Sequence, residues 1–201
     1  MSELVTNKIT PSTGSSDTVT LGDSGDTFTI PSGVTMTNSG TATGFGGGKV
    51  LQVVQTEKTD VFTTAAASMT AVTGMSVTIR PAATSKVLLA GSCNFSTSAG
   101  SNGGWQLFRD STNIHKGDVD GMTAQWQGRS GIRNEHNQRT SLVPISFLDT
   151  HGADGSTDVV YSIKAFCEAT GTLYVNRSSN DVDQVGYGRF ASCIIAMEIG
   201  A

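Results

Sequence analysis

Phe190-Ala191-Ser192-Cys193-Ile194-Ile195-Ala196-Met197-Glu198-Ile199 is apolar on both sides of a two-residue repeat. Successive side chains of an extended strand point to opposite faces. A strand with this pattern therefore belongs in the middle of a sheet or at a subunit interface.

Working back from this segment, the chain reads as strand after strand. Residues 50–54 are short and apolar, and 75–79 alternate cleanly until Arg80-Pro81. Residues 86–95 are long and mostly apolar, as a central strand requires. Residues 104–109 and 112–116 flank Asp110-Ser111 and predict a hairpin. Residues 142–149, 159–167 and 173–176 follow, and the odd positions of 159–167 form one apolar face. About eight antiparallel strands with connections of unequal length predict an all-β fold, an antiparallel jelly-roll β-sandwich spanning 49–201. Residues 61–69 offer at most one turn of helix, weakened by Thr63 and Thr64.

The texture changes at Gly44-Phe45-Gly46-Gly47-Gly48. Before it lies a Thr/Ser/Gly stretch with a rough repeat: residues 18–25, 27–33 and 34–40 each carry a short alternating run ending in a Gly-containing turn. Such strands are too small to build a core of their own. They are expected to wrap against the same strands of neighbouring chains or to stack as solenoid rungs. Residues 1–44 thus read as a β stalk, 45–48 as a Gly hinge and 49–201 as the head.

Composition narrows the function. Charged residues make up 15% of 201, Gly numbers 24, and the formal net charge is −4. No Lys/Arg cluster could neutralise a run of phosphates, which argues against nucleic-acid binding. Cys93, Cys167 and Cys193 have no CxxC spacing and sit in apolar strand patterns, so they read as small buried hydrophobes of a protein made in a reducing compartment. No apolar run reaches 18 residues, so no membrane insertion is expected. The first residues lack a secretory signal, and the reading is a soluble protein.

Nothing in the chain reads as a reaction centre or calls for a cofactor. Gly44–Val50 resembles a phosphate loop only in its glycines, because Val50 replaces the hydroxyl that would hold magnesium. Asp118/Asp120 and Asp181/Asp183 are paired oxygen donors that could hold calcium, but Asx-rich turns explain them as well. His115, His136 and His151 lack zinc spacing and read as solvated loop side chains. No Gly-x-Ser-x-Gly elbow accompanies them. Glu135 has no obvious second acid for glycoside cleavage. Trp105 lies in phase with Leu107 and reads as core. Residues 117–140 form a long polar connection, and Trp126, Arg129, Arg133 and His136 within it are the candidate ligand-binding residues.

Residues 18–35, together with 50–54, 74–79, 146–149, 173–178 and 197–199, resemble the virion structural and tail-fibre-like proteins of marine bacteriophages. The resemblance covers most of the chain and rests on structural residues, not on a catalytic signature. It implies a trimer with a jelly-roll head similar to the tumour-necrosis-factor and C1q type. It also implies a non-enzymatic virion component assembled in the host cytoplasm. Val19, Leu21, Phe28 and Ile30 would then attach the stalk to other virion proteins of capsid or tail, and Ile195, Met197 and Ile199 would line a three-fold seam. The displayed head would contact a host-surface glycan or protein. The shortness of the segment before the head also fits a capsid decoration protein. A polysaccharide depolymerase is a further alternative.

Overall fold

The computed structural model describes residues 25, 27, 29–35, 37, 49–115, 117, 130–168 and 170–200. The chain divides into two compact units, Met1–Phe45 and Gly46–Ala201.

In the first unit, Ser32 and Gly33 form a turn in which Val34 N–H donates to Pro31 carbonyl at 3.2 Å. Gly33 supplies the positive φ of 85° that the turn needs. The turn matches the sequence reading, but the strands do not. Thr29, Ile30, Val34 and Thr35 lie outside any strand, and Ile30 and Val34 are exposed. Four-residue runs hold no ladder without a partner strand. Val19, Leu21, Phe28 and the hinge 45–48 lie outside the described residues.

The second unit contains eleven strands among the described residues: β1 (Val50–Lys58), β2 (Phe62–Thr64), β3 (Thr70–Ile79), β4 (Lys86–Thr97), β5 (Asn102–Arg109), β6 (Thr112–Asn113), β7 (Ser130–Arg133), β8 (Ser141–Asp149), β9 (Val159–Cys167), β10 (Leu173–Val175) and β11 (Ser192–Ile199). The expected helical turn at 61–69 is instead the short strand β2. All the pairings are antiparallel and form two sheets.

In the first sheet β4 is central. β8 runs along one edge of it, from Val87↔Asp149 to Phe95↔Ser141. Its other edge is shared end to end by β11 (Lys86↔Ile199 to Ser92↔Cys193) and β10 (Phe95↔Val175 to Thr97↔Leu173). β1 pairs with β11, and β2 with β10. The second sheet runs β3-β9-β5, with β6 and β7 sharing the far edge of β5. The eight principal strands thus lie in the orders β1-β11-β4-β8 and β3-β9-β5-β7. Every step along the chain between them crosses from one sheet to the other, except β5 to β7. That is the double Greek key of a jelly roll.

β11 lies mid-sheet, as its pattern requires, with β1 on one side and β4 on the other. One adjustment lets it fit. Gly91 on β4 has φ of 141°, and a Cβ there would sit 2.2 Å from the Cys193 carbonyl oxygen, so only glycine allows the two backbones this approach. β8 forms the opposite edge, where Pro144 is tolerated.

The core fills from both inner faces. Val87, Leu89, Cys93 and Phe95 of β4 meet Trp105 and Leu107 of β5 and Tyr161, Ile163 and Ala165 of β9. Phe95 and Trp105 stack across the sheets with ring centroids 6.3 Å apart. Trp105 is core, as its phase predicts, although its indole N–H has no partner. A polar clamp also joins the sheets. Asp149 of β8 is buried and accepts from Arg109 Nη1 at 2.9 and 3.0 Å and from the Tyr161 hydroxyl at 2.7 Å. Burial, and the bond to Asp149, hold the Tyr161 phenol protonated far above its usual range.

Asp149→Ala leaves Tyr161 without its acceptor and Arg109 with only the Thr150 carbonyl at 3.2 Å. We expect a loss on the order of 3 kcal/mol, read as a lower urea midpoint with an unchanged m value. Tyr161→Phe, which deletes only one donor, should cost about 1 kcal/mol.

Candidate functional site

The strands of the first sheet place two sets of side chains on opposite faces, and β11 divides unusually. Its inward positions are Ser192, Ile194, Ala196 and Glu198, all buried. Its outward positions are Cys193, Ile195, Met197 and Ile199, all half-buried. The face turned away from the core is thus the greasier of the two. Its neighbours extend it. Register places Val53 of β1, Met197, Leu88 of β4 and Leu148 of β8 in one row across the four strands. Leu51 lies beside the row and Leu142 at the far end of β8, opposite Asn94, and Val53, Leu142 and Leu148 are 57%, 65% and 50% exposed. The charged side chains on this face are Glu57 at one end, opposite Cys193, and Lys86 at the other, opposite Ile199. At about 3.3 Å per residue these lie roughly 20 Å apart. Contiguous apolar exposure of this kind marks an interaction surface. Cys193 is half-exposed here, whereas Cys93 and Cys167 are buried. Burial pushes the Cys93 thiol up to about 12, so it is inert. The reading of three buried cysteines therefore holds for two of them.

The polar-loop residues fare differently. Trp126, Arg129, Asp118 and Asp120 lie outside the described residues. Arg133 is on strand β7, exposed, and its guanidinium is engaged: Nε donates to Glu135 at 2.6 Å and Nη1 to Asn102 at 3.5 Å. His136 is exposed in a turn that Arg139 N–H closes on its carbonyl at 3.2 Å. Glu135 is thus an ion-pair partner of Arg133.

Asp181 is not poised for calcium. Arg189 binds it through Nε at 2.9 Å and through Nη2, and Arg177 Nη1 adds a third contact at 3.3 Å. These guanidinium groups hold its carboxyl below the usual range and neutralise the charge a cation would need. No group of three or more metal-ligating side chains occurs among the described residues. No helix among them is long and apolar enough to cross a membrane.

One cluster escaped the sequence reading. His151, expected in solvent, is buried. Its Nδ1 accepts Ala153 N–H at 2.8 Å, which leaves the proton of the neutral ring on Nε2, 3.4 Å from Ser85 Oγ. That nitrogen therefore donates and cannot take a proton from Ser85, whose own hydroxyl donates to Ala82 carbonyl at 2.8 Å. Beside them Glu198 accepts from Ala82 N–H at 2.7 Å and Gln52 Nε2 at 2.6 Å. Burial pushes the Glu198 carboxyl up. The hydrogen bonds from Gln52 and Ala82, with Ser85 and His151 nearby, outweigh that and leave it below its usual value. The arrangement is a satisfied network, built by residues 52, 82, 85, 151 and 198 from four separate segments. No local sequence signal could have found it.

No protein-family model matches the sequence, and no curated protein matches it. Among solved structures, the chain is similar to a structure of infectious bursal disease virus, Gx strain, at 16% identity and a TM-score of 0.38. The likeness covers 85% of this chain and 44% of that one, so this chain spans less than half the length of that protein.

Because the folded Glu198 carboxyl lies below its unfolded value of 4.5, its contribution is present above that pH and is lost as pH falls through the folded value. The melting-temperature gap between the protein and its Glu198→Gln variant should be constant from pH 6 to 8. It should narrow steadily below pH 4.5.

Proposed function

We propose that this chain is a non-enzymatic virion structural protein that assembles as a homotrimer and displays its jelly-roll head for attachment to a host surface. One observation carries the assembly half of this reading: β11 turns its more apolar side outward, and the first sheet leaves an apolar row on that side partly in water. The occupant that best fits that side is another copy of the same chain. The face is nearly free of charge, and its two ends carry opposite charges, Glu57 and Lys86, which a second copy can pair. A row of Val53, Met197, Leu88 and Leu148 removed from water contributes roughly 25 cal/mol per Å². Ile195, Met197 and Ile199 sit at the centre of that side, where a three-fold seam needs them. The virion half rests on the resemblance of residues 18–35 and of the head strands to phage structural proteins. Residues 1–44 would then dock on capsid or tail, and Trp126, Arg129, Arg133 and His136 would face the host.

Sedimentation at micromolar concentration should give a trimer. Met197→Asp should give a folded monomer with unchanged circular dichroism, because Met197 contributes nothing to the core. Cys193 should resist maleimide in the trimer and react in that variant. A monomeric parent protein, or a dimer, overturns the three-fold arrangement.

Location on the particle is tested separately. Purified protein should bind intact host cells, whether or not it also binds emptied capsids. Binding to capsids alone would replace attachment with capsid decoration.

A further inference from the structure

The connection between β10 and β11 builds a cavity of about 370 Å³, within the range of small-ligand clefts. Its frame is rigid for a loop. Arg177 and Arg189 pair as an isolated antiparallel bridge. Ser178 N–H donates to Gly188 carbonyl at 3.1 Å, and Gly188 N–H returns a bond to Ser178 Oγ at 3.3 Å. Asp181 clamps the two arginines from within, and the Arg177 guanidinium lies 4.1 Å over the Tyr174 ring. Gly186, at φ of 99°, turns the chain back.

The lining is polar and electrically balanced. Asp181, Asp183 and Arg189 line it, and Arg177 pairs with Asp181 from outside the lining, so two carboxylates sit with two guanidinium groups. A phosphate or sulfate would meet no net positive charge, and a divalent cation no net negative charge. Among the described hydrogen bonds and ion pairs, none uses the Asp183 carboxylate, which is exposed at the rim. It is a free acceptor of the strong, charge-assisted kind. The Asn180 amide carries both donor and acceptor, and Tyr187 adds a ring and a hydroxyl. Val182, 48% exposed, adds an apolar side chain to the lining.

A ligand matching this lining must be uncharged, must donate and accept hydrogen bonds at several points, and must offer an apolar face to an aromatic ring. Hydroxyl-rich rings meet all three conditions. We infer that the cavity between Ser178 and Arg189 binds a neutral saccharide, with Asp183 accepting from its hydroxyls, Asn180 bonding a neighbouring hydroxyl and Tyr187 packing on the ring. This site shares no lining residue with Arg133 or His136, although Asn180 N–H donates to the Asn137 carbonyl at 3.3 Å beside it, and it does not require the trimer.

Saturation-transfer NMR on the full chain tests it, with methyl glycosides of glucose, galactose, mannose and N-acetylglucosamine at 20 mM, and inorganic phosphate and calcium chloride in parallel titrations. At least one glycoside should show saturable transfer. Its affinity should fall tenfold or more in Asp183→Asn and in Tyr187→Ala, with amide shifts confined to residues 178–189. Asp183 makes no described bond within the chain, so its variant should melt at the parent temperature and keep the test valid. Absence of transfer from every glycoside, binding indifferent to Asp183→Asn, or saturable phosphate or calcium binding in this loop would each overturn the inference. Sugar binding by a monomeric protein would leave the inference intact while removing the trimer, so the two proposals fail separately.

Discussion

The structure depends on a strand that must pair on both sides. β11 takes β1 on one edge and β4 on the other, and its partners come from residues 50–58 and 86–92. The sheet therefore cannot close until contacts more than a hundred residues apart in sequence have formed. The entropy of that closure is repaid only when Ile194 and Ala196 seal the core. Gly91 is the residue that admits β11 into its slot. The half-buried seam of Ile195, Met197 and Ile199 is the other consequence, since a strand inserted mid-sheet exposes whatever its second face carries.

The interior of the sandwich is not uniformly apolar, and its polar members tie distant segments together, both within the first sheet and between the two. Asp149 ties β8 to β5 and β9. Glu198 ties β11 to the segments before β4 and to β1. Asn176, in the left-handed conformation at φ of 63°, gathers the carbonyls of Lys58 and Asp60 and the Ser192 hydroxyl at the opposite end of β11. Lys58, buried beside these groups, reaches Asp60 at 2.8 Å. Dispersion and burial hold the sheets together without direction. These bonds select one register, because a slip of one residue would strand each buried charge.

Strand identity was legible because a period of two survives in a single sequence. Residues 75–79, 86–95 and 159–167 alternate or run apolar as the observed strands do, and the Asp110-Ser111 hairpin lies where its turn residues put it. Trp105 was legible as core from its phase with Leu107. The short strand β2 was not, since Thr63 and Thr64 carry no apolar period and pair only because β10 passes beside them. The short N-terminal runs show the opposite failure. Ile30 and Val34 have the alternation of strands, but alternation fixes a strand only where a partner supplies the other half of the ladder. His151 was misread as solvated because nothing local shows that Ser85, 66 residues away, folds against it.

By itself, the order of residues determined that this is an all-β chain, that its head is a sandwich of about eight principal strands and that the segment 190–199 carries a strand apolar on both faces, fit for mid-sheet or an interface. Those facts follow from side-chain alternation, a property of neighbours in sequence. The folded molecule alone decided which side of β11 faces the core, that Asp181 answers to two arginines, and that Ser178 to Arg189 enclose a balanced polar cavity. Each of these rests on which strands become neighbours, and that is set by closure of the two sheets over one interior.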